Sequence, residues 1–394
     1  MLKLRASYGK TGQDNLGSSL YGVYEPSGFK VGFNDNGLFY VPCVSMGTNY
    51  PDVSWQKTIM KNIGLDFYLF KNRVSGSIDV FRNDVTSLLG YASTSPLAIY
   101  PTRPINGGHF YRQGWEIMLD TKNMVGDFNW NTQLTFSKTN SFWKERMPNY
   151  DYRSYQKRNK EPMNAYYYYK MTGIINADRS NMPESQKTLQ AEAQLPGCPI
   201  IDDKNNDGKI DENDIYLKDN TPDIYIGFGN TFTYKNWEFS FFMYGQFGIL
   251  KSNIAYRAAL PGPLAVDYPE NTNKYAYLLW NSQTNPNGTR PGLAVDRMGA
   301  LPGGAGVNID MENASFVRMR NITLSYNFRD KILGKLKKYV KGIKVYADVQ
   351  NPFVISKFKG FDPEIYTGGG GANNASRGEY PQARTFTLGT NIVF

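Results

Sequence analysis

The chain has 394 residues, a formal net charge of +9 and a mean hydropathy of -0.50. A mean this polar, with no run of about 18 apolar residues, excludes helical membrane spans. A single histidine, His109, and two cysteines outside any CxxC pair, Cys43 and Cys198, argue against multi-histidine metal sites, zinc and thiol-redox chemistry, and the charge is spread as solvated loop and rim charge rather than gathered into a nucleic-acid surface.

Period-two alternation recurs from the first residues onward and predicts strands over 2–9, 58–70, 74–86, 111–122, 128–140, 223–234, 237–249, 316–328, 343–354 and 384–394. The opening run Leu2-Lys3-Leu4-Arg5-Ala6-Ser7-Tyr8 already alternates. In the fifth strand Phe128, Trp130, Leu134 and Phe136 share one face, against Asn129, Asn131, Gln133, Thr135 and Ser137 on the other. In the eighth, Ile322, Leu324, Tyr326 and Phe328 oppose Asn321, Thr323, Ser325 and Asn327. In the last, Phe386, Leu388, Ile392 and Phe394 oppose Thr385, Thr387, Gly389 and Asn391.

A soluble sandwich alternates too, with its apolar face turned inward. Two features favour an all-β, antiparallel transmembrane barrel segment with long extracellular loops. Several strands reach the roughly 9–12 residues that a tilted membrane strand needs. The connections alternate between short turns (70–73, 122–127, 234–237, and a longer 329–342 with an amphipathic Leu/Lys-rich stretch of one or two helical turns) and loops of roughly 25 to 80 residues, as periplasmic turns and extracellular loops do. An aromatic content of 15%, with 29 Tyr and 23 Phe, suits girdles at the two membrane interfaces. No secretory leader opens the chain, although an outer-membrane protein must be exported. The expectation is therefore that residues 1–394 form the C-terminal part of a longer barrel, with no plug domain and no signal peptide. No internal domain boundary or repeat is apparent; Pro261-Gly262-Pro263 and Gly368 to Gly371 read as loop punctuation.

The sharpest motif is the acidic loop Asp203 to Asp214. A hard cation takes six to eight oxygens, and a twelve-residue loop supplies them from positions one, three, five, seven, nine and twelve. Here those positions are Asp203, Asn205, Asp207, the Lys209 carbonyl, Asp211 and Asp214, with Gly208 at the sharp turn and Ile210 as the packing anchor. Asp214 stands where a bidentate Glu is usual, which lowers the denticity. The expected ion is calcium or magnesium; the competing reading is an acidic Asx-turn loop without metal. The chain end, with Gly389, Ile392 and terminal Phe394, has the form of a barrel-insertion signal. The run Tyr166 to Tyr169 reads as a rim girdle in preference to a sugar-stacking surface. No Gly-x-Ser-x-Gly elbow, P-loop or His-Glu-x-x-His motif occurs, and no catalytic set stands out among the carboxylates.

Several stretches converge on one family. Lys3 to Gly12 (KLRASYGKTG), Asn62 to Phe67 with Asn72-Arg73, the acidic loop followed by Pro222 and Gly227, and Tyr380 to Gly389 (YPQARTFTLG) resemble the SusC/RagA family of TonB-dependent outer-membrane transporters. The resemblance implies a barrel of roughly 22 strands, of which this chain would hold about the last ten, embedded in outer-membrane lipid. It implies an N-terminal plug and TonB-contacting segment outside this chain, a SusD-like surface lipoprotein as lid, and an oligosaccharide or peptide cargo, with no enzyme activity. The alternative from the residues is a secreted or surface all-β glycan-binding module with a calcium-stapled loop. The two readings differ in which face of the strands is turned out.

Overall fold

Ten strands pair in chain order into one open antiparallel ladder. They are β1 (Leu2–Gln13), β2 (Gln56–Leu69), β3 (Val74–Ser93), β4 (Thr102–Met124), β5 (Phe128–Glu145), β6 (Ile224–Tyr234), β7 (Trp237–Phe247), β8 (Phe316–Phe328), β9 (Gly342–Gln350) and β10 (Thr385–Val393). The computed structural model describes residues 1–13, 24–26, 30–34, 37–40, 44–46, 53–93, 102–148, 152–156, 160–253, 274–292, 298–328, 334, 339–360, 362–364 and 381–394. The loop punctuation at 261–263 and 368–371, Cys43, Tyr380 and most of the amphipathic stretch within 329–342 lie outside the described residues.

The register turns ten alternating sequences into rows. Leu4 pairs with Leu65, which pairs with Ile78, and the row continues through Ile117 and Phe136 to Ile226. A second row runs Phe232, Phe239, Leu324, Ala347, Leu388. The opposite face carries Lys122, Asn131, Thr231, Ser240, Thr323, Asp348 and Thr387 in one row. The apolar face is the uncovered one: Leu388 is 85% exposed, Leu4 74%, Phe386 73% and Ile63 62%. On the polar face Ser325 is buried. A sandwich would reverse this. Leaving side chains of this size in water would forfeit roughly 1.5–3 kcal/mol each, a cost that surrounding lipid removes.

Near the turns 125–127 and 235–236 the outer face becomes aromatic. Phe128, Trp130, Phe232 and Phe239 lie ring to ring at centroid separations of 5.8–6.1 Å, and Trp237 meets Tyr326 at 4.8 Å. This is the interfacial girdle that the composition called for.

Two stretches depart most from the sequence reading. The β3–β4 hairpin does not give way to a long loop after residue 86: β3 runs on to Ser93 and β4 starts at Thr102, so only 94–101 connects them. The cause is a matched irregularity. Ser87 (φ 54°) and Gly108 (φ 71°) drop out of the ladder together, and pairing resumes at Leu88 and Gly107. The alternation loses its phase there while the hydrogen bonding continues. At roughly 3.3 Å per residue, the 23 residues of β4 extend well beyond a bilayer core. The predicted strand 343–354 instead breaks at Asn351 (φ 51°), followed by Pro352, and Val354–Ser356 pairs separately with β8.

Among the described residues, a conventional core lies on the loop side, away from the short turns. Connections within 146–223 and 298–307 build a cap around a three-stranded sheet (Ala165–Tyr169, Tyr216–Asp219, Gly306–Val307) and the pair Met171–Ile174 with Pro199–Ile201. Tyr169, Ile175, Ala193, Cys198, Ile201 and Ile215 are at most 1% exposed inside it.

Candidate functional site

The polar face of the ladder is the candidate site. Near the short turns it forms a concavity of about 470 Å³ whose polar lining includes Asp120, Lys122, Asn131, Gln133, Thr231 and Ser240. At β1–β3 the Arg5 guanidinium grips Asp66 through Nε and Nη2 at 2.8–3.0 Å and reaches Asp79 at 3.0 Å. At β7–β9 Lys344 meets Glu238 at 3.0 Å. A surface of amides, hydroxyls and paired charges can exchange hydrogen bonds with a polar solute.

Among the described residues the most enclosed charged side chain of the wall is Arg318. A bulge in β8 skips Arg320, with Phe242 opposite Asn321 and Met243 opposite Met319. That single skipped residue puts Arg318 on the polar face, although by simple parity it would join Ile322 and Leu324. Its Nη2 reaches Asp362 at 2.5 Å and its Nε reaches Glu364 at 2.7 Å; Arg318 and Asp362 side chains are 3% and 4% exposed. Tyr244 donates to Glu364, and the Gln382 N–H donates to Asp362 at 3.2 Å. Residues 362–364 of the connection between β9 and β10 are thereby anchored onto the wall. Sequence reading missed this cluster, because the bulge hides the arginine and Asp362-Pro363-Glu364 looks like ordinary loop chemistry.

The acidic loop lies in the cap. The two Asp203 oxygens accept the N–H groups of Asp207 at 3.2 Å and Gly208 at 2.9 Å. Asn205 Oδ1 accepts from Asp207 N at 3.2 Å, and Asp207 Oδ1 from Lys209 N at 2.9 Å. Gly208 has φ 82°, a left-handed conformation open to glycine. Asp214, fully buried, accepts from Lys204 N at 2.9 Å and Asp211 N at 2.8 Å, and Asp211 accepts from Asn213 N at 2.7 Å. Ile210 is 3% exposed and anchors the loop in the core as expected. Among the described residues no group of three or more His, Cys, Asp or Glu is gathered as a metal set.

The tyrosine run splits by parity. Tyr169 is buried, its hydroxyl proton shared between the carbonyls of Asp211 and Pro302, each 2.9 Å away, and burial pushes its pKa up. Tyr167 packs against the same core and donates to Glu161. Tyr166, Tyr168 and Tyr216 stack on the other face, with centroids 5.1 and 5.7 Å apart. Tyr216 donates to Asp202 at 2.6 Å, and Lys170 reaches the same carboxylate at 2.9 Å. Together they hold the Asp202 carboxyl below its usual range. The run is thus neither a girdle nor a single surface: half of it is core. Cys198 is a free thiol with its pKa pushed up to about 11 by burial.

At the chain end, Gly389 faces Tyr346 across the β9–β10 ladder. A Cβ at Gly389 would lie 2.3 Å from the Tyr346 ring, so the glycine makes room for an aromatic that closes over it. Ile392 and Phe394 are 47% and 76% exposed, in line with the outward residues of β10.

No family model matches the chain. It is 28% identical over 416 residues to the TonB-dependent receptor SusC of Bacteroides thetaiotaomicron, covering all of this chain and 37% of that protein. It is 26% identical over 423 residues to the TonB-dependent receptor P3 of Formosa agariphila, covering all of this chain and 39% of that protein. The RagAB peptide importer in its closed-closed state superposes with a TM-score of 0.74 at 20% identity, over 99% of this chain and 40% of that chain. The chain therefore spans about two fifths of the length of the proteins it matches. Along its whole length the chain is SusC/RagA-like, an outer-membrane β-barrel segment whose matched share fits the C-terminal part of a TonB-dependent transporter.

Proposed function

We propose that this chain forms the last barrel wall and much of the extracellular cap of a TonB-dependent importer for oligosaccharides or peptides. The observation that carries the reading is the inverted wall: apolar rows exposed on one face, polar and charged rows on the other. A SusD-like surface lipoprotein covers the cap in this reading, and TonB acts through a part of the transporter outside this chain. Transport involves no covalent step, and none is assigned to these residues.

The test is deletion of the coding region, followed by growth on purified oligosaccharides and on peptides as sole carbon source. Loss confined to one cargo class, reproduced when TonB is removed, supports the reading. Unchanged growth on every substrate that requires TonB overturns it.

The acidic loop supplies a second element. We propose that it takes calcium or magnesium through Asp203, Asn205, Asp207, the Lys209 carbonyl, Asp211 and Asp214, as a staple of the cap. A carboxylate has about four acceptor sites, so the backbone bonds described above leave capacity for an ion. Isothermal titration with calcium should show binding by the wild type and a loss of at least tenfold in Asp207→Ala. Equal titrations of the two proteins, or no heat with either, remove the ion.

A further inference from the structure

The outer wall carries one surface that neither lipid tails nor the passage explains. On β1–β5 the apolar rows end in a row of Ala6, Ile63, Val80, Trp115 and Lys138, and the next outward row is Tyr8, Lys61, Arg82, Gln113 and Asn140. Together these rows line a groove of about 930 Å³. Lys61 stands eight residues along β2 from Leu69, the last residue before the short turn. At strand rise and barrel tilt that is roughly 20 Å, close to the full height of the apolar band. The groove therefore straddles the outer boundary of the membrane, on the loop side.

Its chemistry is two-sided. Ile63 and Val80, 62% and 58% exposed, with Trp115, make an apolar lower part. Lys61 and Arg82 rim it above, with side chains 55% and 43% exposed, and Lys138 stands beside Trp115 in the ladder. One carboxylate sits among these cations: Asp84, within 3.7 Å of Lys61, 3.4 Å of Arg82 and 3.5 Å of His109. Arg82 also lies 4.1 Å over the Tyr111 ring. Asp84 and Tyr111 thus orient Arg82, and Asp84 neutralises one charge of three. The surplus is positive, directly above exposed aliphatic carbon.

We propose that this groove binds a phosphorylated lipid of the outer leaflet, with its phosphate on Lys61, Arg82 and Lys138 and an acyl chain along Ile63, Val80 and Trp115. Guanidinium and ammonium groups match a phosphate in charge and donor geometry. The apolar rows supply the part of the site that inorganic phosphate cannot use.

The test uses the full chain purified from outer membranes in detergent, titrated with phosphorylated lipid A, dephosphorylated lipid A of the same acyl composition, and inorganic phosphate. Phosphorylated lipid A should bind the wild type at least roughly tenfold more tightly than the dephosphorylated form, and more weakly as salt rises. Inorganic phosphate should fail to compete at equal concentration. The Lys61→Ala/Arg82→Ala/Lys138→Ala variant should lose the preference for phosphate. Should that variant fail to assemble, Lys61→Glu, at the most exposed of the three, should reduce the preference several-fold. Equal binding of the two lipids by the wild type overturns the proposal, as does an assembled variant of either kind with the wild-type preference. Competition by inorganic phosphate at equal concentration overturns the lipid assignment.

Discussion

Leu388 in the wall and Ile215 in the cap are aliphatic residues of one folded chain, yet the first is 85% exposed and the second 1%. The cap follows the rule of soluble domains. Its apolar side chains converge, its tyrosine hydroxyls find carbonyls or carboxylates, and its carboxylates are bonded to backbone N–H groups or to neighbouring side chains. The wall follows the opposite rule because its solvent is lipid outside and water inside. One chain folds by both rules because connections long enough to enclose their own core leave the strands at the loop end only.

The anchor between the wall and the β9–β10 connection should respond most. Arg318→Ala leaves Asp362 buried without its cation, and breaking such a pair costs about 3–5 kcal/mol. Limited proteolysis should then cut the loop between β9 and β10 while the wall keeps its heat-modifiable migration. Cleavage indistinguishable from wild type would mean that this loop is held by something other than the arginine.

Truncations within each region sharpen the contrast. Ile215→Ala opens a void in a closed core and should cost about 2–5 kcal/mol, read as a lower melting temperature of the cap. Leu388→Ala removes a side chain that faces lipid and encloses nothing, so its effect should be much smaller. Charge reverses the ranking: Leu388→Arg, on the lipid-facing side, should cost up to about 2–4 kcal/mol, depending on its depth in the bilayer, and reduce assembled protein in the outer membrane. Thr387→Arg, one residue away on the wet face, should assemble normally. Equal assembly of the two arginine variants would dissolve the distinction between wall faces.

Much of the wall was legible in the sequence, since period-two alternation is a local property and survives wherever pairing is regular. It failed where backbone irregularities reset the phase: at Ser87 and Gly108, at the skipped Arg320, and at Asn351 before Pro352. The cap was much less legible. Its core joins Tyr155 and Tyr169 to Leu301 and Ala305 across more than a hundred residues, and no local pattern announces such contacts. The acidic loop stands out in the sequence because its spacing is a local template, and Ile210 is buried at the position that template gives its anchor. Arg318 and its two acidic partners were missed because the cluster depends on a bulge together with a returning loop.

The smallest expected effect concerns pH and separates the regions by titration. Tyr216 and Lys170 depress the Asp202 pKa, so this carboxylate stabilises the cap above the unfolded value of about 4 and stops doing so as pH falls toward its folded value. Tyr216 has its pKa raised, chiefly by the same hydrogen bond. Its contribution is complete below about 10 and fades as pH rises beyond that. The trio should therefore support the cap across the neutral range and weaken at both ends. Protease susceptibility of the cap, measured against pH, should rise at either extreme in the wild type. Asp202→Asn removes the titrating carboxylate, so its acid limb should be flatter, starting from a slightly higher baseline. An acid limb of the same slope in both proteins would place the titration elsewhere.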